Sequence, residues 1–457
     1  MLRSLSQVVP LWLRGLVSLI AISTSGPVGS AQEVHRGAPL VLTNATLIDG
    51  TAESPRPDAT LVIEDGRLTR ITSGAVEAPP AGARVVDLSG QFVLPGLIDA
   101  HVHVSLTPDP RATLRALASA GVTTVRDMGG DARTLAVLAR EARAHAIRSP
   151  SIYYAATVFG PPFLQDPRSR RSAPGLEPGA APWSRVVTPE SDWVQVIADA
   201  RGTGATGLKL YSAIAPEQLR EIVREGHRQG LKVWSHATVF PSTPSDAVAA
   251  GVDVLSHSTG LYPEARPDVP SSFTESITEW MPSQDFAAVD PSGAPFDALF
   301  ALMRRRGTLL EPTLAAWQRR DQRGPRPAPQ QHLAEAASRI DTAALSQWAC
   351  AATRAAHEAG VLIVAGTDSS PRRSISIGSE LEALVECGLT PMEAIRAATV
   401  HGARAVGIEA THGSIEVGKV ADLVILSADP TVDIANVRRV VATVRSGRLY
   451  DSDGAPD

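Results

Sequence analysis

Residues 94–104 read LPGLIDAHVHV, an apolar run closed by His101 and His103. In a strand, side chains two positions apart share a face with Cα atoms roughly 6.5 Å apart, so two imidazoles in that pattern can close on one metal ion. Two ordinary histidines on a half-exposed strand would look the same, and the rest of the chain has to decide. Further along, GLKLY carries Lys209 and Tyr211, SHAT carries His236, LSHS carries His257 and AGTDS carries Asp368. Each lies on or at the end of an apolar run. One histidine on an apolar strand is more often a satisfied core residue than a ligand. Four of them with an aspartate, all at the same end of successive strands, point to a metal centre, since imidazole and carboxylate are zinc ligands.

The elements that must carry these residues alternate. LIDAHVHV, TTVRDMG, SIYYAAT, LKLYS, KVWSHAT, DVLSHST, TLLEPTL and VLIVAGTDS read as strands, and stretches such as DARTLAVLAREARAHA and PEQLREIVREGHRQG between them have apolar residues at helical spacing. Eight strands with intervening helices predict an α/β fold, a (β/α)8 TIM barrel over residues 97–412, with chemistry at the C-terminal strand ends. Residues 32–96 and 413–457 have short alternating strands punctuated by Asp-Gly and Ser-Gly, which predicts one small β-sandwich domain assembled from both chain termini. Two connections that follow strands, about 160–187 and 260–296, are too long for simple barrel loops and are expected to cover the mouth.

With 457 residues, 44% hydrophobic and 20% charged, the chain has the balance of a soluble globular enzyme and not of a disordered or collagen-like one. A net charge of -5 offers no basic footprint for nucleic acid. The expected partner is a small-molecule substrate, with no nucleic acid; homo-oligomer formation is left open. Residues 1–31 carry Arg3 and Arg14, a short apolar stretch from Gly15 to Ile22, and Gly29-Ser30-Ala31, the three-part pattern of a signal peptide. That stretch is shorter than the roughly 20 residues a bilayer needs, so the expectation is export, periplasmic or secreted, without stable membrane insertion after leader removal. In an oxidising compartment Cys350 and Cys387 could pair, or they could be two buried small hydrophobes.

Taken together, LIDG, LPGLIDAHVHV, GVTTVRDMGG, GLKLY, SHAT, LSHS, AGTDS, ELEALVECGLTPMEAIRAAT and GSIEVGKVADLVIL resemble the amidohydrolase superfamily, in particular its imidazolonepropionase-related and prolidase-like members, over nearly all of the mature chain. The resemblance implies that His101, His103 and Asp368 hold one zinc ion and His236 and His257 a second. Lys209 matches the lysine that some members convert with CO₂ to a carbamate bridging both ions; a merely ion-paired or snorkelling lysine is the alternative. A hydroxide shared by the ions would attack the substrate carbonyl, with Asp368 as general base and then acid. Tyr211 would donate to the developing oxyanion or to a substrate carboxylate, unless it only packs the core. Arg372 and Arg373 could bind a substrate carboxylate or be a solvated loop.

The implied activity is hydrolysis of an amide or peptide bond in a dipeptide, an N-acyl amino acid or an amide-linked toxin. A mononuclear cyclic-amide hydrolase or deaminase and a catalytically silent metal-binding barrel are the alternatives. Relatives often carry a histidine shortly before ELE, where this chain has SISIGSELE, so a substrate contact from that histidine is not expected here. Structural roles are expected for His35, His145, His227, His332, His357, His401 and His412, and for Asp127 and Asp422.

Overall fold

Alternation of apolar and polar residues builds the N-terminal strands: β1 (Leu40–Leu47), β2 (Arg56–Glu64), β3 (Arg67–Ser73), β4 (Arg84–Asp87) and β5 (Phe92–Pro95). The two-residue turn between β2 and β3, Asp65-Gly66, has φ of 50° and 77°, the paired positive values that suit a tight hairpin. β1 runs antiparallel to β2, and on its other edge parallel first to β4 and then to β5. The computed structural model describes residues 38–74, 78–266, 268, 270, 275–318, 339–369 and 376–451. The expected leader, His35, His332, Arg372 and Arg373 lie outside the described residues.

The middle of the chain forms the barrel. Its strands are β6 (Leu97–Val102), β7 (Val122–Asp127) and β8 (Ser151–Phe159). After the short β9 (Ala180–Ala181) and β10 (Ser184–Val186) it continues with β11 (Gly207–Leu210), β12 (Lys232–His236), β13 (Val254–Ser256) and β14 (Leu309–Glu311). The order β6-β7-β8-β11-β12-β13-β14 is parallel throughout. Helices cover the outside. Ala132–Arg143, for example, buries Leu135, Leu138, Ala139 and Ala142, one stripe at helical spacing, and is capped by Asp131, which accepts from the Arg133 amide.

The eighth strand differs from the expectation. VLIVAGTDS takes the eighth place but forms no regular ladder. It meets its neighbours through two isolated bridges, Ile363 with Leu310 and Ser369 with Val102, and through the Ala100 amide, which donates to the Ala365 carbonyl at 3.1 Å, so the parallel barrel has seven regular strands and is nearly closed. The reason lies in one side chain. The buried Asp99 carboxylate accepts from the His101 amide at 3.2 Å, the Thr367 amide at 3.0 Å and the Thr367 hydroxyl at 2.8 Å, taking donors that a ladder would pair with carbonyls. Close approach there also requires Gly366, where an added Cβ would stand 2.8 Å from the His101 Cβ.

β15 (Leu423–Leu426), β16 (Val440–Arg445) and β17 (Arg448–Asp451) return to the first sheet, β15 pairing antiparallel with β5. The resulting sheet, β17-β16-β15-β5-β1-β2-β3 with β4 beside β1, curls so that its β3 end meets the segment leading into β15: the Leu68 amide donates to the Lys419 carbonyl at 3.0 Å and the Ala421 amide to the Gly66 carbonyl at 2.9 Å. Leu42, Leu61, Ile63, Val93, Leu423, Ile425 and Val444 fill it as an apolar core distinct from the barrel's.

The two long insertions behave differently. The first has structure of its own, a short helix Pro167–Arg171 and the β9–β10 pair, and β10 extends along the end of β8 beyond its pairing with β7. In the second, Tyr262 packs against Trp280, Phe286 and Trp348, which draws its described part onto the outer helix Thr342–Glu358. That helix is also joined by a Cys350–Cys387 disulfide to the end of the helix Ile377–Glu386. Among the described residues no helix is long and apolar enough to cross a membrane.

Candidate metal centre

Period-two alternation brings His101 to the end of β6, and His103 follows where the strand gives way to a turn. Their ring centroids are 5.4 Å apart. The eighth segment delivers Asp368, whose Oδ1 lies 3.7 Å from His101 Nε2 and 3.2 Å from His103 Nε2. Ligand atoms of these three residues all fall within 4.8 Å of one another. His257, just after β13, stacks 4.9 Å from His101, and His236, ending β12, lies 5.0 Å from His257. The four imidazoles thus form one continuous row. Lys209 on β11 is fully buried and donates to Ser256 Oγ at 2.7 Å. Tyr211 packs its ring 4.6 Å from His236, while its hydroxyl donates to the Met128 carbonyl at 3.4 Å.

Every imidazole in the row is held by its Nδ1. His103 meets the Gly129 carbonyl at 2.9 Å, His236 the Tyr211 carbonyl at 2.8 Å, His257 the Thr313 hydroxyl at 2.8 Å, and His101 the Glu311 carboxylate. Such partners fix ring orientation and leave Nε2 as the ligating atom. Burial, reinforced by Lys209, holds His236 well below the usual histidine range, and burial with His101 and Lys209 does the same for His257. Neutral imidazole is the form that binds metal. Burial would lower His103 too, but its contact with Asp368 raises it. Lys209 is brought down to about 7, chiefly by burial. His257, Thr313 and Asp368 all sit at positive φ, 74°, 52° and 48°, conformations that cost of order 1–3 kcal/mol each and persist where the surroundings enforce them. Oriented imidazoles, a carboxylate and a lysine near neutrality at one barrel mouth fit a metal centre.

A model of the amidohydrolase family matches residues 92–450. The chain belongs to that family. It is therefore a hydrolase of carbon–nitrogen bonds, in a family whose members depend on metal. Imidazolonepropionase of Micrococcus luteus is 26% identical over 419 residues, spanning 83% of this chain and 90% of the relative. Among solved structures, a Xaa-Pro dipeptidase with bound methionine has a TM-score of 0.71 at 21% identity, covering 91% of this chain and 100% of its own. Ochratoxinase of A. niger has a TM-score of 0.68 at 21% identity, covering 91% and 96%.

This amidohydrolase also buries an ion pair that sequence reasoning did not single out. Glu311 ends β14 and bridges His101 Nδ1 to the Arg126 guanidinium of β7, all three fully buried. Arg126 also donates to the Ala100 carbonyl at 2.6 Å and the Ala405 carbonyl at 3.1 Å, and lies 4.6 Å over the Trp234 ring. Burial would raise the Glu311 pKa, but His101 and Arg126 outweigh it and hold it at about 2. The usable clue was charge inside two otherwise apolar runs, Arg126 beside Asp127 in TTVRDMG and Glu311 in TLLEPTL. Asp127 accepts from the Val104 and Gly129 amides, and Asp422 from the Ser446 amide. His227 pairs with Asp253, His357 with Glu393, and His401 meets the Ile363 carbonyl; all of these lie outside the row.

Proposed function

We propose that this protein is an exported amidohydrolase that cleaves an amide or peptide bond in a small substrate, a dipeptide, an N-acyl amino acid or an amide-linked toxin, at a two-zinc centre. The observation that carries this reading is Lys209, buried at the mouth beside four oriented imidazoles and Asp368. His101, His103 and Asp368 would hold one ion and His236 and His257 the other. Lys209, neutral in part near pH 7, can react with CO₂, losing a proton to become a carbamate whose two oxygens would link the sites. Bound zinc would polarise the substrate carbonyl and make water acidic enough to attack it at neutral pH.

The chain's own residues do the rest. Asp368 would take the proton from the attacking water and pass it to the departing nitrogen. Glu311 keeps His101 in the tautomer that offers Nε2. Tyr211, bonded to the Met128 carbonyl, walls the site; a rotated hydroxyl would reach the substrate.

Zinc-loaded wild type should carry two ions per chain, and Asp368→Asn should lower kcat by about 1000-fold or more while retaining the fold. Lys209→Ala should drop the count to one ion and abolish turnover. Similarity to imidazolonepropionase favours a second reading, a single-ion hydrolase of cyclic amides. One tightly bound ion together with an active Lys209→Ala would establish it instead. Export is supported by the N-terminal pattern and by the Cys350–Cys387 pair. Its check is the mature N-terminus of protein recovered outside the cytoplasm, expected just after Ala31.

A further inference from the structure

Glu380, the first glutamate of ELE, is fully buried in the helix Ile377–Glu386. Its two oxygens accept from backbone donors, the Leu314 amide at 2.9 Å and the Ala315 amide at 2.8 Å. Those amides open the short helix Leu314–Gln318 and have no carbonyl of that helix to meet. Burying a carboxyl is costly. What this one holds is a turn at the candidate centre. At the end of β14 the His257 amide donates to the Glu311 carbonyl at 2.7 Å; Thr313 then turns the chain at φ 52°, and Glu380 takes the next two amides. Thr313 is fully buried, and its hydroxyl lies 2.8 Å from His257 Nδ1. A β-branched residue at positive φ persists only where its neighbours enforce it. Here they are fixed on one side by the β13–β14 ladder and on the other by Glu380.

The other imidazoles of the row need no such support. His103 and His236 are oriented by the Gly129 and Tyr211 carbonyls, and His101 by Glu311, which Arg126 holds in turn. His257 depends on a hydroxyl, and that hydroxyl depends on a strained residue. We propose that Glu380 is a positioning residue for the second ion: by holding the Leu314 and Ala315 amides it keeps Thr313 in its strained conformation, and Thr313 accepts the His257 Nδ1 proton, leaving Nε2 to ligate. This rests on the two-ion reading above. The first ion is insulated from the turn, because Glu311, which orients His101, is fixed within β14 by its pairing with Ser256 and by Arg126.

Two readouts on the full chain test this: zinc titration against a competing chelator, and imidazole ¹⁵N NMR of the metal-free protein at one fixed pH. His257→Ala identifies the binding step and the resonances that belong to His257. In the wild type zinc should bind in two steps, with His257 protonated on Nδ1. Glu380→Gln sets an NH₂ group against one of the two backbone donors, so it should weaken the His257 step alone, by about 10- to 100-fold, and let the Nε2–H tautomer appear. Thr313→Val should do the same, and the double variant should be about as weak as the weaker single one, because both changes break one chain of contacts. Glu380→Asp, one methylene shorter but still an acceptor, should show a partial loss at the same step, and it decides the matter if Glu380→Gln does not fold. An unchanged His257 step and tautomer in the Glu380 variants overturns the proposal. So does equal weakening of both steps, or an effect that adds to that of Thr313→Val. A wild type that binds a single ion, with the His257 tautomer still shifted by Glu380→Gln, instead overturns the two-ion reading and leaves the hold of Glu380 on His257 standing.

Discussion

The barrel and the rolled sheet solve the problem of burial in opposite ways. The sheet packs a core of leucine, isoleucine, valine and alanine, and its buried Arg445 reaches out to the Ala142 carbonyl of a barrel helix. The barrel interior holds Arg126, Glu311, Lys209, Asp99 and the histidine row, each with a named partner. Burying ions and then pairing them is close to neutral for stability, while removing one partner is costly. The sheet can therefore be read as scaffold, and the barrel interior as a set of groups kept in place for reasons other than stability.

That contrast can be broken by mutation. Glu311→Gln should have the largest effect, destabilising the metal-free protein by about 3 to 5 kcal/mol in denaturant unfolding, because it strands the Arg126 charge. Metal content should fall as well, as His101 loses its anionic partner. Replacing Cys350 and Cys387 together by alanine opens a link across a sequence separation of 37 and should cost about 4 kcal/mol on the chain-entropy account, lowering the unfolding midpoint. Leu61→Ala in the sheet should cost about 3 kcal/mol, with kcat/KM per folded molecule unchanged. A large loss of kcat/KM there would deny the division of labour.

A pH-dependent effect concerns Glu380, which accepts from the Leu314 and Ala315 amides at 2.9 and 2.8 Å and whose carboxyl burial pushes from 4.5 up to about 8. A pKa raised on folding contributes stability that is full below 4.5 and is lost as pH rises through 8. Unfolding free energies from pH 4.5 to 8 should accordingly fall less steeply for Glu380→Gln than for the wild type.

The residues at strand ends were legible because strand periodicity is local: His101, His103, Lys209, His236, His257 and Asp368 each announce themselves within a short apolar run. Glu311 and Arg126 were not, since they are 185 positions apart and only closure of the barrel makes them partners. The first insertion has a sequence without periodicity, and its place depends on β10 finding the exposed end of β8. VLIVAGTDS reads as a strand on its own. What interrupts its ladder is a carboxylate 268 residues earlier, which no local pattern reveals. The cysteines left two readings open, and the pairing depended on how two helices pack.

The Asp99–Thr367 seam has a consequence for how the molecule comes into being. Contacts between such remote positions carry the entropic cost of closing the long loop between them and cannot form until both segments have been made. Two candidate ligands, His101 and His103, stand on one side of that seam and the third, Asp368, on the other. A nascent or truncated chain that ends before residue 367 thus carries its histidines without a centre, and competence for hydrolysis arrives only when the ring shuts.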